Sequence, residues 1–208
     1  MEWNRPVYND ELMPLGRLRE PKSALLRSNI IIVTKCPSEI RPVDVRLIYD
    51  YLGLFAYQKV YFSRYIYGNL VGVFPDEVVY VPNVAWMTSD DAVLLVSGIA
   101  NPTPIVRFLK GSGVEVTLKK YPDHHNFTRK DFDDILKRFK QLKGRNNYIF
   151  TTEKDAVRIA NNPYYPHELK AITFYLPIKV EFLPHKMPMG SDIFDRELRR
   201  VISAPRDN

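Results

Sequence analysis

The sequence predicts an α/β fold: a three-layer α/β/α sandwich around a mostly parallel sheet. Three observations point there. Buried-strand patterns alternate with helical patterns from Ile30 to Leu176, and such alternation gives parallel sheets covered on both faces. Helix patterns open on a capping residue or a proline close behind a strand. The 208 residues are 45% hydrophobic and 26% charged, values that exclude wholesale disorder and allow a sizeable core.

The elements follow in order. Residues 1–28 lack periodicity and carry Pro6, Pro14 and Pro21, so they read as an arm or ordered loop. Ile30 to Thr34 is continuous and β-branched, a buried strand. Pro42 opens a helix with Val43, Leu47, Ile48, Tyr51 and Leu52 at helical spacing, and Gly53 closes it. Val60-Tyr61-Phe62 is a short strand, and residues 64–84 suggest a hairpin. Val93 to Ser97 is a second buried strand. Gly98 turns the chain, and Asn101 can cap a helix with Pro102 at its first position; Ile105, Val106 and Leu109 form the apolar face. Val114 to Leu118 is a strand. Thr128 and Asp131 form a capping box for a helix carrying Phe132, Ile135, Leu136, Phe139 and Leu142. Tyr148 to Thr151 is a strand, Thr152 caps a helix through Ile159, and Thr173 to Leu176 is a strand. A polar helix from Asp192 to Ser203 ends the pattern. The expected division is an arm over 1–28, an α/β domain over 29–185, and a tail with the polar helix over 186–208.

Composition narrows the function. Net charge is +6, which favours anionic partners. Part of the excess is local: Arg129 to Arg145 holds seven Lys/Arg against three Asp, although a solvated helix face explains such a run equally well. Cys36 is the only cysteine, so no intrachain disulfide and no cysteine-based zinc site can form. Cys36 reads as a small buried filler. No apolar run approaches the ~20 residues that span a bilayer, and Met1 to Arg5 lacks the apolar stretch of a signal peptide.

In a parallel sheet, ligands gather at the carboxyl ends of strands. Three polar segments fall there: Ser97 to Asn101, Pro122 to Thr128, and Thr151 to Asp155. In Asp123-His124-His125-Asn126, an acid beside a histidine can orient it for proton transfer; a loop that merely caps the next helix is the plain alternative. A metal reading lacks further ligands, because His167 and His185 lie far along the chain. Thr152, Lys154 and Asp155 open a helix whose free N–H groups favour anions, or simply cap it. Gly98 would admit a ligand or another backbone closely. In the arm, Gly16-Arg17-Leu18-Arg19 sets two arginines two apart, suited to phosphate or carboxylate, with Glu20 as the competing ion-pair partner. There is no Walker A loop, no G-x-G-x-x-G and no G-x-S-x-G elbow.

Taken together, five stretches resemble the tetraacyldisaccharide 4′-kinases (lipid A 4′-kinases): Leu12 to Pro21, Ile31 to Lys35, Ser97 to Pro102, Tyr121 to Phe127, and Thr152 to Val157. Their order and spacing also match, and the likeness thins after about Pro184. The resemblance implies a peripheral enzyme on the cytoplasmic face of the bacterial inner membrane. Such enzymes move the γ-phosphate of ATP, with Mg²⁺, to the 4′-hydroxyl of a tetraacylated glucosamine disaccharide 1-phosphate. It also implies two α/β/α lobes joined by a short β linker, with the P-loop and Mg²⁺ ligands in the first. The present sequence corresponds to the second lobe. The expectation is therefore that the chain alone is inactive and partners a P-loop lobe in the same or a separate chain, or is a cytoplasmic fragment.

Residue by residue, His124 matches the family histidine near the reacting hydroxyl, and Asp123 and His125 sit beside it. Arg17, Arg19 and Gly16 fall in the loop at the lobe junction, where acceptor phosphate or sugar would bind. Gly98 and Asn101 are further acceptor-side positions. Thr152, Lys154 and Asp155 match positions that could serve structure or the lobe interface. Two other readings remain open. One is a non-catalytic basic module for nucleic acid or anionic lipid, against which no RNP, KH or zinc-finger pattern appears, so no nucleic acid is expected. The other is a metal phosphoesterase of the Asp-His-His type, whose additional metal motifs are missing.

Overall fold

The computed structural model describes residues 1–183 and 191–203. In chain order the first elements are β1 (Ile30–Val33), α1 (Pro42–Leu52), β2 (Lys59–Tyr67), β3 (Val71–Gly72) and β4 (Asp91–Ser97). Next come α2 (Thr103–Gly111), β5 (Glu115–Lys120), α3 (Arg129–Phe139), β6 (Asn146–Thr152) and α4 (Glu153–Ala160). The last are α5 (His167–Lys170), β7 (Thr173–Leu176), β8 (Ile178–Phe182) and α6 (Ser191–Ser203). Of the expected tail, 186–190 and 204–208 lie outside the described residues. The described residues form two compact units: Met1–Ile66 with those from Lys179 onward, and Tyr67–Ile178.

The second unit is an α/β/α sandwich. Its sheet has the order β3-β7-β6-β4-β5. β4 pairs in parallel with both β5 and β6, β6 pairs in parallel with β7, and only β3 runs antiparallel, against β7. All seven residues of β4 are buried, because both faces are covered. Leu94 and Val96 point to one face, where Phe132 and Ile135 of α3 and Ala156 and Ile159 of α4 pack with Ile149. Val93 and Leu95 point to the other, against Ile105 and Leu109 of α2 with Phe150 and Phe174. Period-two alternation along one strand thus serves two helical layers. Each fully buried aliphatic or aromatic side chain contributes about 1.5–3 kcal/mol of transfer free energy.

The first unit is built on a three-stranded sheet of order β1-β2-β8, with β1 and β2 parallel. Ile31, Val33, Ile48, Val60 and Phe62 form its core, with Cys36 buried among them. Gly53 ends α1 in the left-handed conformation, the role a glycine fills without steric cost. The arm is part of this unit. The Trp3 N–H donates to the Thr34 carbonyl and the Thr34 N–H to that of Met1, both at 2.8 Å, and the Trp3 ring meets Phe62 edge-on at 6.5 Å.

The structure corrects the expected hairpin over 64–84. β2 runs on to Tyr67, and Val71–Gly72 pairs with Phe174 and Tyr175 of β7 instead. The helix after Asn101 begins one residue later than expected, with Pro102 at the cap position; the Asn101 side chain still accepts from the Thr103 N–H at 3.1 Å.

Candidate active site

The site lies in the second unit, at the carboxyl ends of β4, β5 and β6. β5 ends at Lys120, and the chain turns through Pro122–Phe127 before Thr128 caps α3. That cap is a complete box: the Thr128 side chain accepts from the Asp131 N–H, and the Asp131 carboxylate accepts from the Thr128 N–H. Between β5 and the cap, His124 adopts a left-handed backbone with φ of 61°, uncommon for a residue with a side chain. The turn throws its imidazole outward, leaving the side chain 72% exposed.

Beside it, β6 passes into α4. Thr152 caps the helix by accepting from the Asp155 N–H. Asp155 is wholly buried; its Oδ2 accepts from the Gly98 N–H at 2.8 Å and from the Thr152 hydroxyl at 2.7 Å. Its Oδ1 lies 3.5 Å from an Arg158 nitrogen. A Cβ on Gly98 would stand 2.9 Å from Asp155 Oδ1 and 3.3 Å from the Pro122 carbonyl oxygen. Gly98 therefore permits a close approach between chain segments.

Lys154 and Arg158, one helical turn apart on α4, both reach the β5–α3 loop. Lys154 Nζ donates to Asp123 Oδ1 at 2.8 Å and lies 3.2 Å from His124 Nε2. Arg158 places a guanidinium nitrogen 3.2 Å from His124 Nδ1. The hydrogen bond from Lys154 holds the Asp123 carboxyl below the usual carboxylate range, helped by the positive charge of Lys154 and by the neighbouring His124. Asp123, His124, Lys154, Asp155 and Gly98 are thus brought together, and Thr152 joins them through Asp155.

His125 turns inward instead. Its ring stacks on Tyr121 at 4.6 Å, and its Nε2 lies 3.0 Å from Asp131 Oδ2. Burial works against the charge of Asp131, yet hydrogen bonds from Thr128 and His125 outweigh it and hold that carboxyl low. Asn101 remains exposed and serves its own turn. Gly16, Arg17 and Arg19 belong to the first unit. There the Gly16 N–H donates to the Leu12 carbonyl at 2.9 Å, and a Cβ on Gly16 would collide with the Glu11 backbone at 2.2 Å. The Arg17 N–H donates to Asp10 Oδ1 at 3.1 Å, and the Arg17 and Arg19 side chains are exposed. Among the described residues, no group of three or more His, Cys, Asp or Glu is placed to hold a metal ion. Sequence reasoning missed Arg158; its four-residue spacing from Lys154, which sets both on one helix face, was the signal available.

In open α/β sheets ligands gather at the carboxyl ends of the strands, and His124 stands there among charged neighbours. Residues 1–197 match the family profile described as tetraacyldisaccharide-1-P 4′-kinase. A tetraacyldisaccharide 4′-kinase of Bacteroides thetaiotaomicron is 38% identical over 213 aligned positions, covering 100% of this chain and 54% of the relative. One of Parabacteroides distasonis is 43% identical over 179 positions, covering 86% and 48%. One of Bacteroides fragilis is 41% identical over 186 positions, covering 89% and 50%. The chain belongs to the tetraacyldisaccharide 4′-kinase family, and it spans about half the length of these curated relatives. No solved structure gives a significant match.

Proposed function

We propose that these residues form the acceptor-side lobe of an ATP-dependent kinase that phosphorylates the 4′-hydroxyl of a tetraacylated disaccharide 1-phosphate. In that reaction the 4′-oxygen bonds to the γ-phosphorus, the bond from that phosphorus to the ADP oxygen breaks, and the hydroxyl proton leaves. Phosphoryl transfer depends on positioning and charge more than on covalent help from the protein. The observation that carries the reading is the grip of Lys154 and Arg158 on His124. It sets an exposed imidazole at the carboxyl ends of the strands, where ligands of α/β folds sit; His124 then supports, at the acceptor hydroxyl, transfer of its proton to an acid of the P-loop lobe.

The described donor set does not suit a divalent cation, and the sequence contains no Walker A loop. In this reading ATP and Mg²⁺ are bound by a P-loop lobe outside these 208 residues, in the same or a separate chain, and the chain by itself is inactive. The lobe works at the cytoplasmic face of the inner membrane. Its net charge of +6 and the exposed Val79, Tyr80 and Trp86 support contact with an anionic lipid surface.

The test is transfer of labelled γ-phosphate to the lipid acceptor. The chain alone should give no transfer above a protein-free blank, and activity should appear when a family P-loop lobe is supplied. Activity from the chain alone would contradict the proposed division of labour. In the complete enzyme, His124→Ala should lower turnover about 100-fold with ATP binding unchanged; an unaltered rate would remove His124 from the mechanism.

A further inference from the structure

His124 has cationic donors at both ring nitrogens: Lys154 Nζ lies 3.2 Å from Nε2 and an Arg158 nitrogen 3.2 Å from Nδ1. A neutral imidazole has one lone pair to offer and one N–H to place. The two cations therefore compete, and the surroundings decide between them.

On the Nδ1 side stands a guanidinium, which has no acceptor of any kind. An Nδ1–H there would face only N–H groups. On the Nε2 side a carboxylate stands beside the Lys154 ammonium: Asp123 Oδ2 lies 3.8 Å from Nε2, so an Nε2–H has a negative charge nearby that an Nδ1–H lacks. The two cations also differ in freedom. Lys154 is already engaged by Asp123 Oδ1 at 2.8 Å and is a flexible, well-hydrated point charge. Arg158 is ion-paired, without a hydrogen bond, to Oδ1 of the fully buried Asp155 at 3.5 Å, and the other oxygen of that carboxylate is fixed by the Gly98 N–H and the Thr152 hydroxyl. The buried charge thus draws the guanidinium to the Nδ1 side of the ring.

We propose that Arg158 is a positioning residue that fixes His124 as the Nε2–H tautomer, by donating to Nδ1 from a guanidinium ion-paired with buried Asp155. The Thr152–Arg158 segment then has a single purpose: Thr152 and Asp155 hold Arg158, and Arg158 sets which edge of His124 carries the proton. The ring presents an N–H, not a lone pair, on its Nε2 edge. Resting on the kinase reading, this makes His124 a hydrogen-bond donor toward the acceptor-side oxygen, so the hydroxyl proton must pass to a different group.

The experiment is two-dimensional ¹H–¹⁵N correlation across the imidazole rings of the ¹⁵N-histidine-labelled chain, in mildly alkaline solution where imidazole is uncharged. His124→Gln identifies the signals. The unsubstituted chain should show His124 with a protonated Nε2 and a bare Nδ1, and a protonated Nδ1 would overturn the proposal. Arg158→Leu should convert this to the averaged pattern of two exchanging tautomers. Because Arg158→Leu strips buried Asp155 of its counter-charge, Arg158→Lys is measured as well. It keeps a cation near Asp155 but lacks the second nitrogen that reaches the ring, and it should show the same averaging. A fixed Nε2–H pattern in folded Arg158→Lys would overturn the proposal. Lys154→Gln should leave the pattern intact, and loss of the pattern there would assign the role to Lys154. None of these readouts depends on phosphoryl transfer, so they stand or fall separately from the kinase reading.

Discussion

The Gly98 N–H donates to Oδ2 of Asp155 at 2.8 Å, joining two residues 57 positions apart in the chain. This one bond ties the turn after β4 to the first turn of α4, and the space for it exists because Gly98 has no side chain. Gly98→Ala should destabilise the fold by about 1–3 kcal/mol, the usual cost of overpacking a filled site. Asp155→Ala should cost about 3 kcal/mol or more, since it orphans a buried N–H and hydroxyl and leaves Arg158 without its partner. Denaturant titration of both variants checks the ordering. A Gly98→Ala chain as stable as the parent would show that the contact is loose.

Lys154 governs the charge of Asp123. With its hydrogen bond gone, the Asp123 carboxyl should titrate back toward the ordinary carboxylate range. Carboxyl carbon shifts followed through an acid titration of Lys154→Gln would show that rise, and an unmoved midpoint would assign the depression to another group.

Acid should weaken the cap of α3. The Asp131 carboxyl sits low in the folded state, so its contribution is present above its unfolded value, near 4, and is lost as pH falls through the lower folded value. The stability gap between the parent chain and Asp131→Asn should therefore be constant near neutrality and close on acidification below about pH 4. Thr128→Ala, measured by the same melts, should cost about 1 kcal/mol near neutrality.

Cys36 should resist alkylation. Burial pushes its thiol up to about 11, so little thiolate exists at mildly alkaline pH. Iodoacetamide should label the native chain far more slowly than the denatured one; equal rates would mean that the first unit opens freely around Cys36.

Vesicles test the lipid contact. At low salt the chain should sediment with anionic vesicles and not with neutral ones, and Trp86→Ser should weaken the binding. Indifference to vesicle charge would leave the basic surface without that role.

Much of the second unit was legible in the sequence because its signals are local. β4 is apolar at nearly every position, and the Thr128 and Thr152 caps announce their helices. The β3 pairing was not legible: Val71 and Gly72 are two residues whose partners, Tyr175 and Phe174, lie a hundred positions on, and no local pattern specifies so distant a neighbour. β8 was missed because its Ile178–Phe182 stretch is short, mostly exposed and enters from a proline. At the site, the Asp123-His124 pair could be read, as could the helix start beside it. That His124 turns outward while His125 turns in depends on the positive φ at His124, which an unaligned sequence does not display.

The second unit begins and ends at one doorway. The Gly68 N–H donates to the Pro177 carbonyl at 2.9 Å, so the strand that enters and the strand that leaves stand side by side. The intervening polypeptide is an insertion, and its folding brings β8 back to where β2 departs. Closing so long a loop costs chain entropy when the loop is slack, and little once the insert has folded. A folded insert therefore favours the meeting of β8 with β2 that completes the three-stranded sheet.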